Sequence, residues 1–389
     1  MSQSTIPVFH LVSGGIGGAE RVFVYTLRAV AELGYRALGV LVIGNERDVK
    51  GLIHEAEVNS ETLKKILLKT IFKKYPLRRA YRLQGYLSSL AARYAWKQGL
   101  GERPPVCINT KTEEAPFTNC GYAKTIYYVH NPFFVTGTEC SRHGAENLPK
   151  RLRHSLSTAL TNTVGRYLEH KHRQGDIVVV NSDFSAQLVA KHLGFKPRVI
   201  YPPVDVSFFE KCSLEKKEDT IICVGRITKV KRHDLCIRVL KQLPEHVKLV
   251  IAGNTTIDSP SYIRYLLNLA ADLGVRERIS IEPSLTRKDL RKLFCRAKVL
   301  LHPMRGEHFG IVVVEAMAAG VVPVVWDYGG PAFVVPRRFQ FSSIEEIPEK
   351  VMDALKVSSA LRKSLRKIAQ RYDTTVFISN IRKLIAKNI

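Results

Sequence analysis

Two carboxylates, Glu307 and Glu315, lie at either end of the stretch EHFGIVVVEAMAAG, with a glycine-containing apolar run between them. A helix that begins near Phe309 carries Glu315 inward, whereas Glu307 stays on the preceding loop at the helix N-terminus. Backbone amides at Phe309, Gly310 and Ile311 favour an anion or a hydroxyl group there, and carboxylates accept hydrogen bonds from sugar hydroxyls. Because an unpartnered buried carboxylate is costly, the pattern predicts one polar ligand that contacts both acids.

A second set of candidate binding residues lies in VGRITKVKRHD, at a turn between a predicted strand and a helix. Arg226 and Lys231 flank this turn, and a guanidinium together with an ammonium forms a clamp for a diphosphate. The neighbouring Lys229 and Arg232 are interpreted as a solvated charge run.

A glycine-rich turn, SGGIGGAER, follows the first predicted strand. Gly15 and Gly17 allow backbone N–H groups to approach a phosphate at a helix start, although a plain tight turn is the alternative. Glu20 stands where the dinucleotide fingerprint needs its last glycine, and the P-loop lysine is absent. These departures argue against a nicotinamide cofactor and a P-loop nucleotide.

His130 ends the predicted strand in YYVHNP, and Pro132 stops that strand. A lone histidine is often structural, but parallel α/β sheets bind ligands at the carboxyl ends of their strands. His130 is therefore a candidate active-site residue.

The order of elements predicts an α/β protein with two doubly wound, Rossmann-like domains that face each other across a cleft. A chain of 389 residues exceeds one ordinary core, and YPPVDVSFFEKCSLEKKED is typical of a linker. We expect an N-terminal domain over 1–203, a C-terminal domain over 204–372, and a C-terminal helix, 373–389, that packs back on the first. Predicted strands are PVFHLVS, ALGVLVI, VCINT, TIYYVH and DIVVVNS in the first domain, and TIICVGR, VKLVIAG, ISIEPS, VLLHPM and VPVVWD in the second.

The composition is strongly basic, with 60 Lys and Arg against 35 Asp and Glu and a net charge of +25. Such a charge attracts anions such as nucleic acids, lipid headgroups or phosphorylated small molecules. The segment from Thr62 to Gly101 contains no acid and is a basic amphipathic stretch, which predicts contact with an anionic membrane surface. A solvated helix face in a basic protein is the alternative.

The sequence shows neither a membrane-spanning pattern nor a secretory signal. Its apolar runs are shorter than the roughly 20 residues of a membrane span, and the first residues lack the pattern of a secretory signal. Seven cysteines occur without a C-x-x-C pair, which suits a reducing cytosol. We therefore expect a cytoplasmic protein.

Taken together, GGIGGAER, YYVHNP, NSDFSA, YPPVD, VGRITKVKRHD, EHFGIVVVEAMAAG and GGP resemble the family-4 retaining glycosyltransferases of the GT-B fold. The resemblance covers nearly the whole chain. Within the family, the sequence looks most like the mannosyltransferases that extend dolichyl-diphosphate-linked oligosaccharides. It departs from many relatives after GGP, where AFVV replaces a segment that carries an acid.

The resemblance assigns the acceptor to the N-terminal domain, 1–203, and the nucleotide-sugar donor to the C-terminal domain, 204–372. It also assigns a role to each candidate residue. Arg226 and Lys231 hold the donor diphosphate, and Gly15 and Gly17 approach it from the other domain. Glu315 binds the ribose. Contact with the donor sugar is implied for Glu307 and the backbone of Phe309, Gly310 and Ile311, and His130 is placed beside the reacting carbon.

The expected activity is transfer of a hexose, mannose from GDP-mannose, to a lipid-linked glycan acceptor, on the cytoplasmic face of a membrane. The resemblance implies retention of configuration, a nucleotide-sugar co-substrate, no cofactor and no metal. Alternatives are a UDP-sugar-dependent enzyme that acts on another glycan or glycolipid, and an epimerase or phosphorylase of the same fold. A basic nucleic-acid-binding protein is the alternative from another class, but no nucleic-acid-binding motif appears and nucleic acid is not expected as a partner.

Overall fold

The chain forms two compact units, Met1–Pro203 with Thr375–Ile389, and Val204–Thr374. A computed structural model describes residues 4–11, 17–43, 50–51, 53, 60–72, 104–112, 117–119, 123–132 and 150–389. The unit that holds both termini is called unit 1, and the other is unit 2.

Unit 1 is built on a parallel sheet of seven strands in the order β3-β2-β1-β4-β5-β6-β7. The strands are β1 (Thr5–Leu11), β2 (Arg36–Ile43), β3 (Ile66–Phe72), β4 (Val106–Asn109), β5 (Lys124–Val129), β6 (Ile177–Val180) and β7 (Arg198–Val199). Its first helices are α1 (Gly18–Glu32), α2 (Ser60–Lys64), α3 (Lys150–Arg173) and α4 (Asp183–Leu193). Strands β4 and β6 are buried along their whole length, as expected where helices cover both faces of a parallel sheet.

Unit 2 contains a parallel sheet of six strands in the order β10-β9-β8-β11-β12-β13. The strands are β8 (Glu218–Val224), β9 (Lys248–Gly253), β10 (Ile279–Pro283), β11 (Ala297–His302), β12 (Val322–Trp326) and β13 (Gln340–Phe341). The helices are α5 (Val206–Glu210), α6 (His233–Leu240), α7 (Ser259–Asp272), α8 (Arg287–Arg296), α9 (Ile311–Ala318), α10 (Ile347–Leu355) and α11 (Ser359–Ala369). Short 3₁₀ turns include Lys229–Lys231 and Gly330–Phe333.

The last helix, α12 (Thr374–Ala386), belongs mainly to unit 1. Phe377, Ile381 and Leu384 recur at helical spacing and enter the same apolar core as Phe23 and Leu27 of α1. The chain thus returns to its first unit after completing the second.

The basic stretch that begins at Thr62 continues into a strand after Lys64. Residues 66–72 form the edge strand β3, which runs parallel to β2. Ile66 and Leu68 pack against the core, whereas Leu67 and Lys69 are exposed. This alternation with period two suits a strand, so the alternative of a solvated helix face is wrong for residues 66–72. Residues 73–101 of the stretch lie outside the described residues.

Two cysteines of unit 2, Cys212 and Cys295, form a disulfide. The expectation of reduced thiols is therefore wrong for this pair. Cys223 and Cys236 are free and buried. In the part of the chain that the structure describes, no helix combines the length and the apolar character needed to cross a bilayer.

Candidate active site

The central contact of unit 2 joins Lys231 and Glu307. The turn after β8 carries Lys231, the loop after β11 carries Glu307, and these two strands are neighbours in the sheet. The ammonium Nζ of Lys231 lies 2.6 Å from Oε2 of Glu307 and 3.2 Å from Sδ of Met304. Lys231 and Glu307 are far apart in the sequence, and they meet because β8 and β11 are adjacent in the sheet.

Glu307 is surrounded by groups that favour its charged form. Nε2 of the buried His302 lies 3.6 Å from Oε2, and the backbone amide of His308 donates to Oε1 across 3.2 Å. Burial alone would raise the pKa of Glu307, but the charge of Lys231 and the contact with His302 hold that pKa well below its usual range. Burial lowers the pKa of His308 to about 4, so this ring is neutral near pH 7. Because Lys231 and His302 lower its pKa, Glu307 is ionised at neutral pH.

Helix α9 begins at Ile311, immediately after Gly310. Gly310 has a φ of +80°, a left-handed conformation that glycine adopts without the steric cost of a Cβ atom. In this conformation Gly310 is the N-cap of α9, so the first backbone amides of the helix directly follow the loop that carries Glu307. Phe309 is buried, with its ring 5.6 Å from that of Tyr372.

Glu315 lies inside α9 and is only 4% exposed. The helix is otherwise apolar, and Val313, Val314, Ala316 and Met317 around Glu315 are buried as well. As predicted from the spacing, one acid of the pair lies on the loop and the other within the helix.

A second loop holds the Glu307 loop in place. The amide of Gly330 donates to the carbonyl of Glu307 across 2.6 Å. A Cβ atom on Gly330 would lie 2.0 Å from the carbonyl oxygen of His308, so only glycine permits this approach. The GGP motif therefore acts on the backbone of the site, by fixing the loop that carries Glu307.

Arg226 follows β8 and has an exposed side chain. The backbone around it is anchored, because Ile227 donates to the carbonyl of Asn254 across 3.0 Å. Among the residues that the structure describes, no carboxylate forms an ion pair with Arg226. Its guanidinium is therefore available to an anion, and within the described ranges no hydrogen bond joins it to Lys231 or Glu307.

In unit 1, His130 lies at the end of β5 and is half-buried. Its Nε2 is 2.8 Å from the carbonyl oxygen of Thr110, and Asn181 donates to the carbonyl of His130 across 2.7 Å. Because a carbonyl only accepts, Nε2 carries the ring proton. Burial, followed by the charge of Lys111, lowers the pKa of His130 to about 3. The imidazole is neutral at physiological pH.

The glycine-rich turn is described from Gly17 onward, so Gly15 lies outside the described residues. The amide of Gly17 donates to Oε2 of Glu20 across 2.8 Å, and Oε1 of Glu20 lies 3.7 Å from Nε2 of His10. Burial opposes ionisation of Glu20, yet the contact with His10 and the charge of Lys111 lower its pKa to about 2. Glu20, which excluded the dinucleotide fingerprint, is therefore an ionised group beside the turn.

Sequence reasoning gave no site role to four polar residues, namely His10, Glu20, Lys111 and His302, and it used Glu20 only to exclude the dinucleotide fingerprint. Each is buried, and each except Glu20 lies at or just beyond the carboxyl end of its strand. The available signal was a histidine at the end of an apolar run, as in PVFHL and VLLHP. Glu307, Lys231 and Gly310 meet in unit 2, whereas Gly17 and His130 belong to unit 1.

Comparison with known families decides which family this is. The description Glycosyltransferase Family 4 matches residues 16–208, and Glycosyl transferases group 1 matches residues 207–372. The chain belongs to the family-4 glycosyltransferases. Together the two matches cover both units of this glycosyltransferase.

Similar curated proteins include enzymes that act on lipid-linked glycans. The chain is 31% identical over 240 residues to the human GDP-Man:Man(3)GlcNAc(2)-PP-Dol alpha-1,2-mannosyltransferase, which covers 54% of this chain and 49% of that protein. It is also 31% identical over 169 residues to the D-inositol 3-phosphate glycosyltransferase of a Mycobacterium strain, covering 40% of this chain and 38% of that protein. The chain spans about half the length of the mannosyltransferases that it matches.

Solved structures confirm the predicted GT-B fold class with its two Rossmann-like domains. The Anabaena protein Alr3699/HepE, in complex with UDP and glucose, has a TM-score of 0.72 at 17% identity and covers 99% of this chain and 100% of that one. Sucrose-phosphate synthase from Thermosynechococcus elongatus has a TM-score of 0.72 at 16% identity, with 99% of each chain covered.

Proposed function

We propose that this glycosyltransferase moves a hexose, mannose from GDP-mannose, to a lipid-linked glycan acceptor at the cytoplasmic face of a membrane. The contact between Lys231 and Glu307 carries the proposal, because it joins a cation suited to a diphosphate with an anion suited to sugar hydroxyls. Similarity to the dolichol-linked mannosyltransferases supports the choice of mannose and of a lipid-linked acceptor.

In this proposal the donor diphosphate lies between the Arg226 turn and the N-terminus of α9. The Lys231 ammonium has three donors, so it can keep its bond to Glu307 and still donate to a phosphate oxygen. Arg226, whose guanidinium is exposed, supplies a second cation, and the first amides of α9 supply neutral donors. These groups stabilise the negative charge that develops on the departing diphosphate.

The reaction proceeds with retention of configuration in this proposal. The bond between the anomeric carbon and the diphosphate oxygen breaks, and a bond to the acceptor hydroxyl forms on the same face of the sugar. The hydroxyl proton passes to the departing diphosphate, so no protein nucleophile takes part. Glu307 accepts hydrogen bonds from hydroxyls of the donor sugar, and Glu315 accepts them from the ribose. His130 enters as a neutral imidazole, which suits a hydrogen bond beside the reacting carbon.

We also propose that the enzyme needs no metal, since Arg226, Lys231 and the α9 amides supply the positive charge. The acceptor class implies a peripheral position, because a polyprenyl tail stays in the bilayer and the enzyme must approach it.

Thermal unfolding in the presence of GDP, UDP and their sugars tests the donor assignment. A nucleotide present at about one hundred times its Kd stabilises the folded state by about 2.7 kcal/mol. GDP and GDP-mannose are expected to raise the Tm, and UDP is expected to raise it less. A larger shift with UDP contradicts the choice of donor, and no shift with any nucleotide contradicts the proposed function.

Transfer assays test the acceptor, the retention of configuration and the independence of metal. Radiolabelled mannose is expected to appear in a lipid-linked Man3GlcNAc2 acceptor, with the α linkage that retention gives, and EDTA is expected to leave the rate unchanged. A β-linked product contradicts retention, and loss of turnover with EDTA contradicts metal independence.

A further inference from the structure

Arg305 lies on the Glu307 loop, and its guanidinium rests on two aromatic rings. The guanidinium carbon is 4.9 Å from the centre of the Tyr328 ring and 5.6 Å from the centre of the Trp326 ring. The side chain of Arg305 is exposed. Within the described ranges it forms neither a hydrogen bond nor an ion pair with a protein group, so its N–H donors are left for solvent or a ligand.

Two hydrogen bonds join the segment that carries Arg305 to the segment that carries the rings. The indole Nε1 of Trp326 donates to the carbonyl of Pro303 across 2.8 Å, and the amide of Gly306 donates to the carbonyl of Tyr328 across 3.0 Å. These bonds tie both ends of the segment that contains Arg305 to the end of β12. Trp326 also packs on Phe341, with ring centres 4.6 Å apart. The guanidinium and the rings form one preorganised surface.

The position of this surface follows from the strand order β8-β11-β12. The proposed diphosphate clamp follows β8, Glu307 follows β11, and Tyr328 follows β12. Along the carboxyl edge of the sheet, the surface therefore lies beyond the proposed sugar contact, on the side away from the diphosphate clamp. In the proposed arrangement, a group bound there is next to the transferred sugar, on the side away from the diphosphate.

The chemistry of the surface suits a carbohydrate. The apolar C–H face of a pyranose packs on an aromatic ring, and its hydroxyl oxygens accept hydrogen bonds from a guanidinium. Tyr328 is 46% exposed, so aromatic surface is available beside Arg305.

We propose that Arg305, Trp326 and Tyr328 form a subsite for a sugar ring of the acceptor glycan. This inference rests on the proposed function and deepens it, because it assigns residues of unit 2 to the acceptor. Arg305 donates to hydroxyls of the acceptor, and Tyr328 packs against a pyranose face.

Binding of the water-soluble oligosaccharide Man3GlcNAc2, measured by calorimetry with and without saturating GDP, tests the subsite. Arg305→Ala and Tyr328→Ala are each expected to weaken oligosaccharide binding roughly tenfold, as loss of one stacking or hydrogen-bonding group implies. Arg305→Lys is expected to weaken it as well, because an ammonium lacks the planar fork of donors. GDP affinity is expected to stay unchanged in all three variants.

The matched control is Arg264→Ala with Tyr265→Ala, on the exposed side of α7. Tyr265 is 44% exposed, close to the value for Tyr328, and neither control residue belongs to the site. The control variant is expected to bind the oligosaccharide as the wild-type protein does.

Steady-state kinetics give a second measurement. The KM for the lipid-linked acceptor is expected to rise in the Arg305 and Tyr328 variants, while the KM for the donor and the rate of donor hydrolysis by water stay constant.

Three results overturn the subsite: equal oligosaccharide affinity in wild-type and variant proteins, a loss of GDP affinity in the variants, or no oligosaccharide binding by a wild-type protein that binds GDP. Failure of the wild-type protein to bind any nucleotide contradicts the proposed function instead, so the two failures are distinguishable.

Discussion

The ammonium of Lys231 and the carboxylate of Glu307 form an ion pair at 2.6 Å, and the two residues follow neighbouring strands of the unit 2 sheet. Their side chains are 21% and 19% exposed, so water screens the pair only partly. Each charge fixes the position of the other. A ligand that contacts one of these residues therefore meets a site in which the second is already in place.

The first prediction is that the Lys231–Glu307 pair affects stability and turnover separately, which a double-mutant cycle measures. Lys231→Met leaves a largely buried carboxylate without its cation and is expected to lower the free energy of unfolding by about 1–3 kcal/mol. Adding Glu307→Gln is expected to restore much of that stability but none of the turnover. Urea denaturation and transfer assays measure the two effects separately. Recovery of turnover in the double variant would show that neither charge acts on the donor.

The second prediction concerns Arg226 and Glu315. Arg226→Ala and Glu315→Gln are each expected to reduce turnover by roughly 10² to 10³, as loss of a charged contact to the donor implies. Arg226 is exposed, so its replacement should leave the Tm unchanged, whereas Glu315 is buried and glutamine preserves its volume. Near wild-type rates in both variants, with any acceptor, contradict the donor site.

The third prediction follows from the pKa of Glu20. This pKa falls from 4.5 to about 2 in the folded protein, so the folded state favours the carboxylate. The resulting stabilisation is present above pH 4.5 and is lost as the pH falls toward 2; over that range it amounts to about 3 kcal/mol.

Denaturation of wild-type protein and Glu20→Gln between neutral and acid pH measures this contribution. The wild-type protein is expected to lose stability more steeply below pH 4.5, and the difference between the two proteins is expected to shrink there. Parallel pH profiles would mean that Glu20 has an ordinary pKa.

Much of the fold was predictable from patterns that repeat along the chain. Apolar runs such as IICVG and VKLVIAG are short, β-branched and separated by helical patterns, which indicates parallel strands joined by crossover helices. The strand β3 was missed because its lysines and the basic residues after it suggested an amphipathic surface. Its pairing with β2 depends on contacts between distant parts of the chain, which a local pattern does not show.

For the site, residue type and spacing identified Glu307, Lys231 and the helix start, but the partners of Glu307 were not visible. The contact of Glu307 with His302 depends on the path of the loop between them, and that path is fixed by the approach of Gly330. Arg305 was overlooked because its significance comes from the rings of Trp326 and Tyr328 across the neighbouring strand.

The fourth prediction concerns the membrane surface. Lys69 is exposed on the edge strand β3, and Leu67, on the same strand, is 45% exposed, so this edge offers both charge and apolar area. Each basic residue near an anionic surface contributes about 1 kcal/mol to binding. A variant with five substitutions to Gln is expected to lose co-sedimentation with anionic vesicles and to keep nucleotide binding; the residues are Lys69, Lys73, Lys74, Arg78 and Arg79.

A control variant removes the same number of charges from exposed positions of unit 2, namely Lys241, Lys288, Lys363, Lys367 and Arg371, each changed to Gln. If net charge alone drives binding, the two variants lose vesicle binding equally. Retained binding in the control, with loss in the first variant, assigns the membrane contact to the stretch that begins at β3. Neutral vesicles have no negative surface potential to attract basic residues, so neither variant is expected to change sedimentation with them. Unaltered binding of the first variant to anionic vesicles removes this stretch from the membrane contact.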